Sequence, residues 1–158
     1  PETARRYRLT DLADLARAAP QLTMGTDPEF LERPEWRSVR STYGIAFKGT
    51  RSFSPSFMYN ALASDQADVI TAYTSDGRIA ADRLVVLADP KQAIPGYDAL
   101  LIINAERAKD DRLIGALRPL IGRIDVTAMR AANYRVDREA GKQTPTEAAR
   151  WLEGEINR

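Results

Sequence analysis

The chain contains no histidine and no cysteine. A Ser-His-Asp or Cys-His nucleophilic unit cannot be assembled from it, and neither can a zinc site of thiolates and imidazoles. Any proton transfer would fall to carboxylates alone, so a non-enzymatic role without cofactor or metal is expected. Long hydrophobic runs are also missing. The two longest, Leu84-Val85-Val86-Leu87-Ala88 and Ala99-Leu100-Leu101-Ile102-Ile103, hold five residues each, whereas a helix needs about 20 to span a bilayer. Nor is there an excess of charge of one sign. The 23 Lys and Arg face 22 Asp and Glu, for a net charge of +1, and a nucleic-acid binder would carry a basic surplus on one face. Without thiols the redox compartment stays open. The chain opens Pro1-Glu2 with no initiator Met and no signal-peptide core, so a processed product or a cut segment is expected.

What is present suits a folded domain: 158 residues, 44% hydrophobic and 28% charged, enough to bury a core without staples. Helical spacing follows Thr10, a candidate N-cap, and runs to about Pro20. A short strand is expected over 21–25. Asp27 and Pro28 then cap a helix over 28–33, Pro34 breaks it, and helical spacing resumes over 35–43 until Gly44 ends it. A brief strand over 45–48 precedes a helix opened by Ser54-Pro55-Ser56, with Phe57, Met58, Ala61 and Leu62 on one side. The apolar run at 68–73 reads as a buried parallel strand, and those at 84–87 and 99–103 as further strands. Helices are expected over 106–117, 126–134 and 145–156, the last with Thr144 and Glu147 at capping-box spacing. Strands alternating with helices give an α/β class with a mainly parallel sheet. Pro95-Gly96 marks a possible lobe boundary.

Three residues stand out as candidates for binding. Tyr73 and Tyr97 flank turn-forming residues at strand ends, and open α/β sheets bind ligands beyond the carboxyl ends of their strands. By position alone the default reading of each is a core tyrosine with a satisfied hydroxyl. Arg33, preceded by Glu32, is either a helix-surface ion-pair residue or an anion clamp whose fork matches a carboxylate. Asp65, Asp68 and Asp82 lack a calcium-loop spacing and read as solvated or capping residues. Gly25-Thr26-Asp27 lacks the further glycines and lysine of a phosphate loop.

Several ordered blocks carry a resemblance. They are Thr23-Met24-Gly25-Thr26-Asp27-Pro28-Glu29-Phe30-Leu31-Glu32-Arg33, Met58-Tyr59-Asn60-Ala61-Leu62, Ile70-Thr71-Ala72-Tyr73-Thr74-Ser75-Asp76-Gly77-Arg78-Ile79, Leu84-Val85-Val86-Leu87, Pro95-Gly96-Tyr97-Asp98-Ala99 and Met129-Arg130-Ala131-Ala132-Asn133-Tyr134-Arg135-Val136-Asp137. Together they resemble the substrate-binding proteins of osmoprotectant ABC importers, the glycine betaine, carnitine and choline binding family. The resemblance implies a type II, two-lobe, periplasmic-binding-protein-like architecture that lacks here the N-terminal part of the first lobe. Residues 1–94 would be most of the second lobe, 95–98 the hinge crossing, and 99–158 the C-terminal part of the first.

In that family a box of aromatic rings holds the quaternary ammonium head, and two of its tyrosines match Tyr73 and Tyr97. An arginine matching Arg33 clamps the ligand carboxylate in some members. A trimethylammonium group has no N–H to donate, so π-faces and desolvation must recognise it. The resemblance implies a solute-binding component outside the cytoplasm, membrane-associated through its ABC permease, with a small quaternary ammonium ligand as partner and no nucleic acid. The alternative is a lobe that acts as an interaction or regulatory module without solute capture. With part of the site absent, weak ligand binding and self-association through the 99–103 edge are expected.

Overall fold

Strand β1 (Thr23–Thr26) lies at the centre of a three-stranded parallel sheet, with β2 (Gly49–Ser52) on one side and β3 (Val69–Ile70) on the other. Its register pairs Thr26 with Ser52 and Gly25 with Ile70. The structure, a computed structural model, describes residues 1–157. Arg158, the last residue of the stretch 99–158 read as first-lobe sequence, lies outside the described residues. The described residues form two compact units, one of Pro1–Tyr73 with Asp82–Gly96, the other of Thr74–Ala81 with residues 97–157.

The first unit holds the sheet and four helices, α1 (Glu2–Tyr7), α2 (Leu12–Ala18), α3 (Pro34–Tyr43) and α4 (Pro55–Ala63). Its core joins Leu9, Leu15, Leu22, Met24, Trp36, Val39, Tyr43 and Ile45. Parallel strands need connections that cross over the sheet, and α3 and α4 supply them between β1 and β2 and between β2 and β3. Gly25 sits in a crowded part of the first unit. A Cβ there would lie 3.0 Å from the Ala67 Cβ and 3.2 Å from Ile70 and Phe53 side-chain carbons, so glycine permits the close approach.

The second unit contains α5 (Gly77–Ala81), α6 (Asp111–Leu117), α7 (Val126–Asp137) and α8 (Pro145–Ile156). Helix α7 packs against both α5 and α8, and Ile79, Ala132, Ala148 and Leu152 are buried. Thr144 and Glu147 form the reciprocal capping box, and the Arg135 guanidinium stacks 4.0 Å from the centroid of the Trp151 ring.

Local signals and long-range pairing part company in several places. Helix α2 begins at Leu12 with Asp11 as its cap, while Thr10 bonds the Asp14 carboxylate through its N–H and hydroxyl. The helix expected over 28–33 is a single 3₁₀ turn, Phe30–Glu32, because Pro34 opens α3 at its first position rather than interrupting a longer helix. The strand expected over 45–48 forms at Gly49–Ser52 instead; Ile45 is buried in the core without pairing. Phe57 faces solvent, unlike Met58 and Ala61 of the same helix.

The apolar runs 84–87 and 99–103 form no strand. Beyond an isolated bridge between Asp11 and Ala88, no neighbouring strand meets them among the described residues. Without a partner a run of β-branched and leucine residues has no ladder to join, and Val85, Val86, Leu100, Leu101 and Ile102 remain exposed.

Hydrogen-bonded and capping carboxylates are expected to make this fold acid-sensitive. The Tyr43 hydroxyl donates to Asp89 and accepts the Lys91 N–H at 2.8 Å, and Asp89 also accepts the Ile94 N–H at 2.8 Å. Burial acts to raise the Asp89 pKa, but the bonds from Tyr43 and from the N–H groups of Ile94, Ala93 and Gln92 outweigh it and hold it below the ordinary value. Bonds from the Thr10 hydroxyl and N–H, with help from Arg17, lower Asp14 to about 2. The Thr144 N–H and hydroxyl lower Glu147. Each group is more acidic folded than unfolded, so its stabilisation is complete above about pH 4 and disappears as pH falls through the folded value. The melting temperature should therefore be level from about pH 7 to 5 and drop steadily between about pH 4 and 2. Asp89→Asn should flatten that acid limb; a melting temperature indifferent to pH down to 2 would contradict the assignment.

Candidate functional site

Because β1 and β3 are adjacent and parallel, their carboxyl ends open on the same edge of the sheet. The Thr26 and Thr71 hydroxyls, 3.0 Å apart, tie these two ends together, and Thr26 is fully buried. Beyond β1 the chain turns at Asp27, whose carboxylate accepts the Phe30 N–H at 3.0 Å, makes the 3₁₀ turn, and reaches Arg33. Beyond β3 it reaches Tyr73 after three residues. The two excursions meet: the Arg33 guanidinium is hydrogen-bonded to the Tyr73 side chain. Residues 40 positions apart in sequence are thus joined at the strand ends, where an open α/β sheet leaves room for a ligand.

The ring of Tyr73 is not a core ring, since the residue is 59% exposed. Its hydroxyl is engaged and its faces are accessible, an arrangement suited to contact with a cation. Arg33 pairs with Glu29, at 3.2 Å, rather than with the adjacent Glu32. The bond to Tyr73 and then that to Glu29 raise the Arg33 pKa above its ordinary value, so the guanidinium is a permanent cation. Arg33 itself has extended backbone, with φ −70° and ψ 147°, which corrects its expected place on a helix surface.

Tyr97 belongs to the other unit, immediately after Gly96 in an extended stretch without regular structure, and is 61% exposed. It too is no core tyrosine. Asp68, considered above as a solvated or capping residue, accepts the Thr23 N–H at 2.8 Å and so fastens β1. Among the described residues no group of acidic side chains gathers as a metal site, and no helix is long and apolar enough to cross a membrane.

The block 129–137 acquires a physical role in the second unit. Arg130 donates to the Thr74 carbonyl from Nε at 2.8 Å and from Nη2 at 2.6 Å, and Asn133 donates to the Ser75 carbonyl at 2.9 Å. Gly77 lies directly on the α7 backbone. The block 74–77 is therefore docked on α7 by two side chains and one missing Cβ. Sequence reasoning did not single out Glu29, Thr26, Thr71, Arg130 or Asn133. Only Glu29 carried a local signal, four residues before Arg33; the others depend on contacts across 45 or more positions.

Comparison with known proteins places the chain in a family. Residues 1–154 match a family described as the substrate-binding domain of the ABC-type glycine betaine transport system. The carnitine transport binding protein OpuCC of Listeria monocytogenes is 32% identical over 139 residues, covering 86% of this chain and 45% of that protein. A glycine-betaine-binding protein of Pseudomonas aeruginosa is 34% identical over 161 residues, covering 94% of this chain and 51% of its own length. The chain thus spans about half the length of these curated relatives. A crystal structure described as a glycine betaine/carnitine/choline ABC transporter superposes with a TM-score of 0.77 at 31% identity, over 98% of this chain and 57% of that one.

Proposed function

We propose that this chain, which belongs to the substrate-binding domains of ABC-type glycine betaine transport systems, captures a quaternary ammonium osmolyte outside the cytoplasm and presents it to a permease. The observation that carries this reading is the pairing of a permanent cation, Arg33, with an exposed aromatic ring, Tyr73, at the carboxyl ends of β1 and β3. A betaine carries a trimethylammonium head and a carboxylate on one short frame. The ring offers its π-face to the head and the guanidinium its fork to the carboxylate. Tyr97, which the resemblance matches to another ring of the family's aromatic box, is also exposed. The relatives are named as a carnitine transport binding protein and a glycine-betaine-binding protein, which favours capture over catalysis. The exposed apolar run Leu100-Leu101-Ile102 is the segment through which a second copy of the chain would associate.

Thermal-shift titration of the natural protein with glycine betaine, carnitine and choline tests the reading, since a ligand that binds only the folded state raises the melting temperature. Arg33→Ala should weaken glycine betaine and carnitine by about tenfold and spare choline, which has a hydroxyl where the others have a carboxylate. Equal losses for all three ligands would make Arg33 a structural residue, and no shift with any of them would overturn the function.

A further inference from the structure

Arg33 offers its guanidinium to two partners, the Tyr73 side chain and the carboxylate of Glu29. The two differ in kind. Tyr73 is an uncharged phenol, whereas Glu29 presents the same chemical group as the acid end of a betaine. Glu29 reaches Arg33 across the 3₁₀ turn Phe30–Glu32, with 3.2 Å between its carboxylate and one terminal nitrogen. Its side chain is 82% exposed, against 36% for Arg33. An acid so exposed can swing back into water at little cost. The arginine is held in place by its second bond, to Tyr73.

We propose that Glu29 is an internal competitor for Arg33, and that it sets the preference between carboxylate-bearing and carboxylate-free quaternary ammonium ligands. The proposal rests on the reading of Arg33 as the carboxylate clamp. A ligand carboxylate that takes the fork with two parallel N–H bonds must either evict Glu29 or sit beside it against like-charge repulsion. Choline meets neither cost. Glu29 therefore acts as a specificity residue without needing to touch the ligand head.

The test is calorimetric titration of the natural protein and of Glu29→Gln, Arg33→Ala and the double variant, with glycine betaine and choline as probes. Glu29→Gln should bind glycine betaine about two- to five-fold more tightly, the range of an exposed ion pair, with choline unchanged. The gain should shrink at about 0.5 M salt and vanish in the Arg33→Ala background. Melting temperatures within about 2 °C of the parent would confirm that the exposed substitution leaves the fold intact.

If Arg33→Ala lowers the glycine betaine to choline preference but Glu29→Gln leaves it unchanged, the competitor role is wrong and the clamp stands. If neither substitution moves the preference, the clamp is wrong and the competitor falls with it. A gain from Glu29→Gln that persists without Arg33 overturns the proposal, because it then reflects general charge. Failure of the parent to bind either probe overturns both readings.

Discussion

Gly77→Ala is expected to lower the melting temperature of the second unit by roughly 10–25 °C, as follows from an overpacking cost of about 3 kcal/mol in a domain of this size. An added Cβ at Gly77 would lie 2.4 Å from the Tyr134 nitrogen, 2.6 Å from its Cα and 2.7 Å from the Asn133 carbonyl carbon. All three are backbone atoms inside α7, so no side chain can swing aside. The helix itself must retreat, and retreat would pull Arg130 and Asn133 away from the Thr74 and Ser75 carbonyls they bond. Gly154 in α8 is the control. Nothing lies within 4 Å of its added Cβ, so Gly154→Ala should stabilise by about 0.5–1 kcal/mol through helix propensity. Differential scanning calorimetry separates the two cases, and an unchanged melting transition in Gly77→Ala would refute the close docking of α5 on α7.

Removing the exposed rings should have the largest effect on binding. Tyr73→Ala and Tyr97→Ala, measured separately in the natural protein, are each expected to weaken glycine betaine and choline alike by about tenfold or more. The upper part of the desolvated cation–π range, about 2 kcal/mol per ring, corresponds to roughly thirtyfold. The substitutions to phenylalanine then divide the roles. Tyr97→Phe keeps its π-face and should retain most of the affinity. Tyr73→Phe also keeps the face but removes the hydroxyl that Arg33 engages, so glycine betaine should lose more than choline. Both residues are more than half exposed, and neither substitution to alanine opens a cavity. Calorimetric affinities for the alanine variants equal to the parent's would remove the aromatic residues from the site.

Caps and turns were the most legible parts of the fold. Thr144 and Glu147, three residues apart, mark the start of α8, and the helix runs over the expected Pro145–Ile156. Gly44 ends α3 with φ 69°. These signals are local, because the groups that satisfy one another are within a turn of the chain. Apolar runs were less reliable guides. The runs 68–73, 84–87 and 99–103 all read as strands, yet among the described residues only the first pairs with a strand, and only at Val69–Ile70. A strand is completed by hydrogen bonds to a distant segment, and the run's own residues do not carry that information.

The sequence alone therefore determined which side chains this chain can bring to a site and to which family it belongs. It holds no imidazole and no thiol, so its own residues cannot build the usual nucleophilic triads or thiolate and imidazole zinc sites, and ordered blocks along the chain carry the kinship that the match over residues 1–154 bears out. Only the tertiary structure decided how those blocks are used. The parallel pairing of β1 and β3 brings Arg33 to Tyr73, and the packing of α5 on α7 gives Gly77, Arg130 and Asn133 a common task. Both are contacts between segments far apart in the chain, formed because strand pairing and helix packing bury backbone and apolar groups that no single segment can cover by itself.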